Sequence, residues 1–67
     1  MILIFKTNIA GAAAANKILQ LVKQQHQVTA CTIDLEDCDK VLRVVGEVSK
    51  DTIVDCVAQM GFACEEL

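Results

Sequence analysis

The most reactive side chains in this sequence are four cysteines, Cys31, Cys38, Cys56 and Cys64. Thiolates bind soft metal ions and thiols pair into disulfides, so either kind of site has to be considered. No two of these cysteines have the Cys-x-x-Cys spacing of a zinc knuckle or a redox motif. The chain also lacks the basic start and cleavage site of a signal peptide, so nothing indicates an oxidising compartment. We therefore expect reduced thiols.

Carboxylates and one histidine are the other groups that could do chemistry. Asp34, Glu36, Asp37 and Asp39 lie close together, but they lack the spacing and the turn glycine of a calcium loop, so a solvated acidic turn is expected. His26 has no nucleophile paired to it in the sequence and is expected at the surface. Because no activated nucleophile or acid–base pair can be named, the sequence predicts that the protein is not an enzyme.

The stretch from Asn8 to Lys17 offers backbone groups instead of side chains. Gly11 is followed by four alanines, and this run opens an amphipathic helical pattern. The bare N–H groups of such a first turn, at the positive end of the helix dipole, can hold an anion. A small regulatory module that binds an anion at the Gly11 helix start is therefore one functional hypothesis. The flanking glycines of a P-loop are missing, which weakens it.

The elements that must position these residues follow from periodicity. Strands are predicted near 2–7, 28–35, 40–46 and 62–66, where short apolar or alternating runs occur, and helices near 12–25 and 50–60, where apolar residues recur at helical spacing. Ser49 is a plausible N-cap and Gly61 a plausible C-cap. The order βαββαβ predicts an α+β, ferredoxin-like sandwich, with two helices on one face of a four-stranded antiparallel sheet. Residues 1–67 are expected to form a single domain.

Charge and hydropathy narrow the choice of partner. Residues 1–33 carry three lysines and no acid, whereas residues 34–67 carry all nine acids against three cations. This acidic balance argues against nucleic acid as a partner. The apolar run at residues 1–5 is far too short to span a bilayer, so we expect no membrane insertion and a cytoplasmic location.

Several motifs resemble those of the heavy-metal-associated domain, the fold of small copper chaperones and of the N-terminal modules of copper-transporting ATPases. The likeness covers nearly all 67 residues. The stretch from Ile9 to Ala14 lies where that family has Met-x-Cys-x-x-Cys. The other matching segments are Ala15-Asn16-Lys17-Ile18, Ile33-Asp34-Leu35, Gly46-Glu47-Val48 and Met60-Gly61-Phe62. The resemblance implies a ferredoxin-like fold and a role in handling heavy metals, in particular copper.

The departures from the family pattern fall on the metal ligands. In this alignment Gly11 and Ala14 replace both metal-binding cysteines, and Ile9 replaces the methionine that packs beneath them. Phe62 falls where many members carry an aromatic residue or a lysine beside the metal loop. Glycine and alanine have no donor atoms, so the resemblance predicts a degenerate domain with no metal cofactor. Such a domain would act through protein–protein contacts, and the resemblance implies a metal-handling system as one setting for them.

Cys38 supports the alternative hypothesis, a domain that binds or transports Cu(I) or Zn(II) at a non-standard site. The hairpin turn that carries Cys38 should lie at the same end of the fold as the lost ligands. Alternation and helix phase turn Cys31, Cys56 and Cys64 inward, where cysteine acts as a small hydrophobe. Cys38 is thus the one candidate for a metal ligand.

The sheet face that carries no helix is the candidate contact surface. Alternation places Ile2, Ile4, Val41 and Val45 on this outward side of adjacent strands. Exposed apolar patches often mark a partner or self-association site, so a protein partner is expected here, with a second copy of the chain as one option. In the alternative interpretation, the aliphatic stems of Lys6 and Arg43 simply cover the patch.

Overall fold

The six predicted elements are present in the predicted order. The structure, a computed structural model, describes residues 1–25 and 27–67. Its elements are β1 (Ile2–Thr7), α1 (Ala12–Lys23), β2 (Val28–Asp34), β3 (Val41–Gly46), α2 (Lys50–Gln59) and β4 (Cys64–Glu66). The expectation that His26 lies at the surface falls outside the described residues.

The strands form one antiparallel sheet in the order β2-β3-β1-β4. β2 and β3 are joined by the short polar turn as a hairpin, and β1 and β4 are paired beside it. The α+β, ferredoxin-like βαββαβ architecture is therefore confirmed. Both crossover connections carry a helix, and the two helices contact each other, so they cover the same face of the sheet.

The core lies between that face and the helices. Phe5 of β1 and Leu42 of β3 alternate with less buried neighbours, and both are fully buried. Ile18 of α1 and Ile53 of α2 meet them from the helix layer and are also fully buried. Burying aliphatic and aromatic side chains of this size contributes roughly 1.5–3 kcal/mol each, which compensates for the small size of the chain.

Local signals explain where the helices begin and end. The Ser49 hydroxyl accepts the Thr52 N–H at 3.3 Å, and Asp51 lies in the first turn of α2, so the predicted N-cap is confirmed. Gly61 follows the end of α2 with φ +85°. Neither helix of the described residues has the length and apolar content needed to cross a membrane.

Some predicted boundaries differ by a few residues. β3 begins at Val41 and not at 40, because Lys40 adopts the left-handed conformation with φ +47°. β4 begins at Cys64 and not at 62, because the Phe62 N–H donates to the Val57 carbonyl of α2 and the Ala63 N–H donates to the Asn8 side chain. α1 and α2 end at Lys23 and Gln59, one or two residues earlier than predicted, and β2 ends at Asp34.

The inward assignment of the cysteines is confirmed for Cys31 and Cys56, which are each 5% exposed. Cys64 is only half-buried, which corrects the expectation that it lies fully inside. It pairs with the buried Thr7 and so faces the helix layer, but β4 is a three-residue strand at the edge of the sheet. An edge strand has a neighbour on one side only, so its inward side chains are less completely covered.

Candidate functional site

Three connections meet at one end of the sheet, as the sequence predicted. They are the β1–α1 loop (8–11), the β2–β3 turn (35–40) and the α2–β4 connection (60–63), and we call this region the loop end. The Thr7 N–H donates to the Asp39 carbonyl at 2.9 Å. The Asn8 N–H donates to the Ala63 carbonyl at 3.3 Å, and the Asn8 Oδ1 accepts the Ala63 N–H at 2.8 Å. Residues at the junction of β1 and the loop thus hold all three connections together.

The β1–α1 loop and the first turn of α1 have no side-chain donor at the positions that the resemblance singled out. Ile9 is fully buried beneath the loop, Gly11 is exposed and Ala14 is half-buried against the core. Gly11 is the N-cap of α1 with φ +93° and ψ 142°, a conformation that L-residues avoid. A β-carbon at Gly11 would meet no atom within 4 Å, so the obstacle to a cysteine there is backbone strain and not space.

Phe62 lies beside this loop in the α2–β4 connection. Its side chain is half-buried and packs against the core. The neighbouring Ala63 is bound by Asn8, so the loop and the aromatic residue are held at the same end of the molecule. The structure therefore brings Ile9, Gly11, Ala14 and Phe62 into one region, without a group among them that could ligate a metal.

Cys38 is exposed in the β2–β3 turn. Its Sγ and one carboxylate oxygen each from Asp37 and Asp39 lie within 4.8 Å of one another. The Asp37 Oδ1 already accepts the Asp39 N–H at 2.8 Å, and the Lys40 N–H donates to the Asp37 carbonyl at 3.0 Å. These bonds are those of a self-contained turn, so the acidic cluster is explained without a cation.

The other three thiols are poor metal donors as they stand. Burial raises the pKa of Cys31, Cys56 and Cys64, and for Cys31 this outweighs the lowering effect of the Lys23 ammonium. The Cys31 thiol donates to the Leu19 carbonyl at 3.7 Å, and the Cys56 Sγ accepts from the Gln25 amide at 3.7 Å. Because the thiolate is the form that binds metals, these groups act as packed, protonated side chains at neutral pH.

Two further features of the loop end could be taken for small-molecule sites. α1 begins without a side-chain cap, which leaves its first N–H groups free for an anion or water. An open groove is lined by Lys6, Thr7, Asn8, Ala63, Cys64 and Glu65. In the part of the chain that the structure describes, no buried side-chain polar atom lacks a partner, so no unsatisfied group points to a ligand at either place.

The helix-free side of the sheet, which we call the open face, carries the four predicted contact residues. Ile2 is 60% exposed and pairs with Val45, and Ile4 is 36% exposed and pairs with Arg43. Val41 and Val45 are half-buried, and Val41 pairs with Asp34 of β2. Arg43 therefore separates Val41 from the other three, and the apolar patch proper is the corner formed by Ile2, Ile4 and Val45.

Two residues of the loop end were missed by sequence reasoning. The sequence places Thr7 at the end of the first strand and Asn8 at the start of the following loop, without indicating that their side chains tie the three connections together. The Thr7 hydroxyl donates to the Lys40 carbonyl and accepts the Ile9 N–H at 3.3 Å. The sequence signal for this role was a polar pair at the end of an apolar run. Polar side chains at such a place often complete the backbone hydrogen bonding where the pairing between strands stops.

Comparison with known proteins gives matches among solved structures only. No protein-family model matches the chain, and no curated protein matches it. The yeast copper transporter domain Ccc2a, solved in its apo and Cu(I)-loaded states, superimposes with a TM-score of 0.87 at 26% identity over 98% of this chain and 93% of that chain. The Atx1–Cu(I)–Ccc2a complex matches with a TM-score of 0.83 at 28% identity over 98% of this chain and 93% of that chain.

A more distant match gives the same architecture. The N-terminal domain of PacS from Synechocystis PCC6803 has a TM-score of 0.87 at 16% identity, over 100% of this chain and 97% of that chain. This protein therefore has the copper-chaperone-like fold of heavy-metal-associated domains, as its motifs suggested.

Proposed function

We propose that this protein is a degenerate heavy-metal-associated domain that acts through contacts with other proteins and not by carrying a metal ion. The observation that carries the proposal is the state of the β1–α1 loop. Thr7, Asn8 and the buried Ile9 support the loop, yet Gly11 and Ala14 supply no donor atom where the family has cysteines.

The remaining donors do not fit Cu(I). This ion prefers soft thiolate ligands, of which two close together make a suitable pair. Cys38 is the single exposed thiol among the described residues, and its neighbours Asp37 and Asp39 offer hard oxygen atoms. The conformation of Gly11 also argues against a ligand cysteine at this position, because a backbone φ of +93° costs a non-glycine residue about 1–3 kcal/mol. The loop thus favours glycine over a ligand cysteine.

Two observations support a role in protein contacts. One of the similar structures is a complex of two proteins, Atx1 and Ccc2a, bound with Cu(I). On this chain, Ile2 and Ile4 leave apolar surface on the open face. We propose that this surface belongs to a non-catalytic contact module in the cytoplasm, where the four free cysteines would stay reduced.

A Cu(I) titration against a competing chelator of moderate affinity tests the proposal. The wild type should bind Cu(I) no more tightly than the Cys38→Ser variant. The double variant Gly11→Cys with Ala14→Cys should bind one equivalent and compete with the chelator, because it restores a thiolate pair at a helix start, where the dipole lowers thiol pKa. Each single variant should fall well short of the double variant.

The strain at Gly11 provides a second readout of the same experiment. The double variant should be less stable than the wild type by about 1–3 kcal/mol without metal, and Cu(I) should recover part of that loss. Tight one-to-one binding by the wild type that is lost in Cys38→Ser would overturn the proposal and favour the alternative site at Cys38. A folded double variant without any gain in affinity would show that Gly11 and Ala14 are not the metal positions.

A further inference from the structure

β2 is an outer strand of the sheet with an unpaired edge. It contacts β3 on one side, and no strand lies beyond it in the described ranges 1–25 and 27–67. With seven residues it is also the longest strand of the sheet. Its free edge is therefore the longest continuous row of backbone groups that a partner could reach.

The register identifies which groups point outward. The Gly46 N–H donates to the Met1 carbonyl of the β1 side, and successive residues of an antiparallel strand point their backbone groups in opposite directions. Val45 and Arg43 of β3 must then point toward β2, where their partners are Ala30 and Thr32. The N–H and C=O groups of Cys31 and Ile33 consequently point away from the sheet.

From Cys31 onward, the edge lacks the features that usually protect such a strand. Natural edge strands are blunted by lysines, prolines, bulges or very short length. β2 contains no proline, lysine or arginine, and its only charged residue is Asp34 at its end. One register irregularity lies between Val28 and Ala30, which leaves the segment from Cys31 onward regular. A further strand could therefore pair with that segment.

Cations flank the edge on both layers of the fold. On the helix side, Lys23 of α1 is exposed and lies one helical turn after Leu19, whose carbonyl accepts the Cys31 thiol at 3.7 Å. On the open face, Arg43 is exposed and pairs directly with Thr32. Within residues 1–25 and 27–67, ion pairs are formed only by the N-terminus with Glu47 and by Lys50 with Glu66, so Lys23 and Arg43 have no carboxylate partner.

The charges around the β2 edge indicate what kind of chain can pair with it. Two copies paired antiparallel about Cys31 would bring Lys23 close to its own counterpart, and like charges in such a position repel. Asp34 is the only acid of β2, and in this pairing it would lie opposite Val28, three residues from Cys31, so it could not relieve the repulsion. We propose that the β2 edge binds an extended, acidic segment of a partner protein, which adds a fifth strand to the sheet with its carboxylates near Lys23 and Arg43. The inference rests on the proposed protein-contact function and adds to it, beside the open face, a second surface with a stated class of partner.

Amide hydrogen exchange on the free protein gives a first test. The amides of Cys31 and Ile33 should exchange quickly and that of Thr32 slowly, because only the last is bonded to β3. Two short probe peptides then serve as ligands, one of valine and glutamate with glutamates on both faces of the extended chain, and one with lysines in place of the glutamates. The glutamate peptide should slow exchange at Cys31 and Ile33 and shift β2 resonances, whereas the lysine peptide should not.

Charge reversal on α1 provides the matched variants. Lys23→Glu should weaken binding of the glutamate peptide about fivefold, and high salt should weaken it in the wild type. Lys17→Glu makes the same change in charge on the same helix, but six residues away and so on another face, and should leave binding nearly unchanged.

Three outcomes would overturn the proposal. Equal binding of both peptides would show that charge does not determine which peptide binds. Peptide binding that shifts only the resonances of open-face residues would show that the partner binds on that face and not at the β2 edge. Protection of the Cys31 and Ile33 amides in the free protein that is lost on dilution would make a second copy the occupant. None of these outcomes involves copper, so failure here is distinguishable from tight Cu(I) binding by the wild type, which would overturn the proposed function itself.

Discussion

The four thiols of this protein differ in how far solvent reaches them. Cys38 is exposed, Cys64 is half-buried, and Cys31 and Cys56 are buried. Burial also raises the pKa of the latter three, so at neutral pH a smaller fraction of each is the reactive thiolate. Lower accessibility and a higher pKa therefore both slow the reaction of a thiol with an added reagent.

Native-state modification with a chromogenic thiol reagent should consequently proceed in three steps. Cys38 should react first, Cys64 more slowly, and Cys31 and Cys56 only as the protein unfolds. Raising the pH should accelerate the Cys64 step, because burial raises the pKa of its thiol and only the thiolate reacts. The control is Cys38→Ser, which should lack the fast phase and keep the others. Rapid modification of two thiols in the folded wild type, before any loss of structure, would contradict this order.

At the scale of elements, the end of β1 determines how the loop end is assembled. Thr7 is 8% exposed, and its N–H and hydroxyl bind the β2–β3 turn at Asp39 and Lys40. The same hydroxyl accepts the Ile9 N–H, which begins the β1–α1 loop. One side chain therefore couples the hairpin turn that carries Cys38 to the loop that carries Gly11.

Thr7→Val should destabilise the protein by about 1–3 kcal/mol, because it preserves the shape of the side chain but leaves the Ile9 N–H and the Lys40 carbonyl without their partner. Urea unfolding measures this loss. The matched control is Thr32→Val on the exposed side of β2, which should change stability by less than about 0.5 kcal/mol. Equal effects of the two variants would mean that the Thr7 bonds contribute nothing beyond general strand packing.

At the scale of the whole molecule, the described helices cover one face of the sheet and leave the open face without a helix. Among the described residues, only two large apolar side chains of the open face are exposed, those of Ile2 and Ile4. Stable interfaces bury about 800 Å² per partner, so association through this small apolar patch alone is expected to be weak.

Concentration-dependent association should be measurable by sedimentation or by NMR diffusion near millimolar concentration. Val45→Lys should weaken it, because the substitution places a charge in the apolar corner next to Ile2. Gln20→Lys adds the same charge on the exposed side of α1 and should have no effect. A wild type that stays monomeric throughout this range, and is unchanged by Val45→Lys, would remove the open face as a self-association site.

The sequence by itself determined the order of the elements and the face on which most side chains lie. Alternation and helical periodicity are local, so Leu42 and Val44 could be placed inward and Ile2 and Ile4 outward without any knowledge of partners. The lack of donor atoms at Gly11 and Ala14 is likewise a property of residue type alone. Only the resemblance of the surrounding motifs to heavy-metal-associated domains indicates that these two positions correspond to metal ligands.

Only the tertiary structure decided which residues are neighbours across the chain and which strands lie at an edge. Thr7 meets Lys40 across 33 positions and Asn8 meets Ala63 across 55, and no local pattern encodes such contacts. The partial exposure of Cys64 and the free edge at Cys31 depend on the strand order β2-β3-β1-β4. The physical reason is that side-chain alternation is set within a strand by backbone geometry, whereas coverage of that strand is set by long-range pairing.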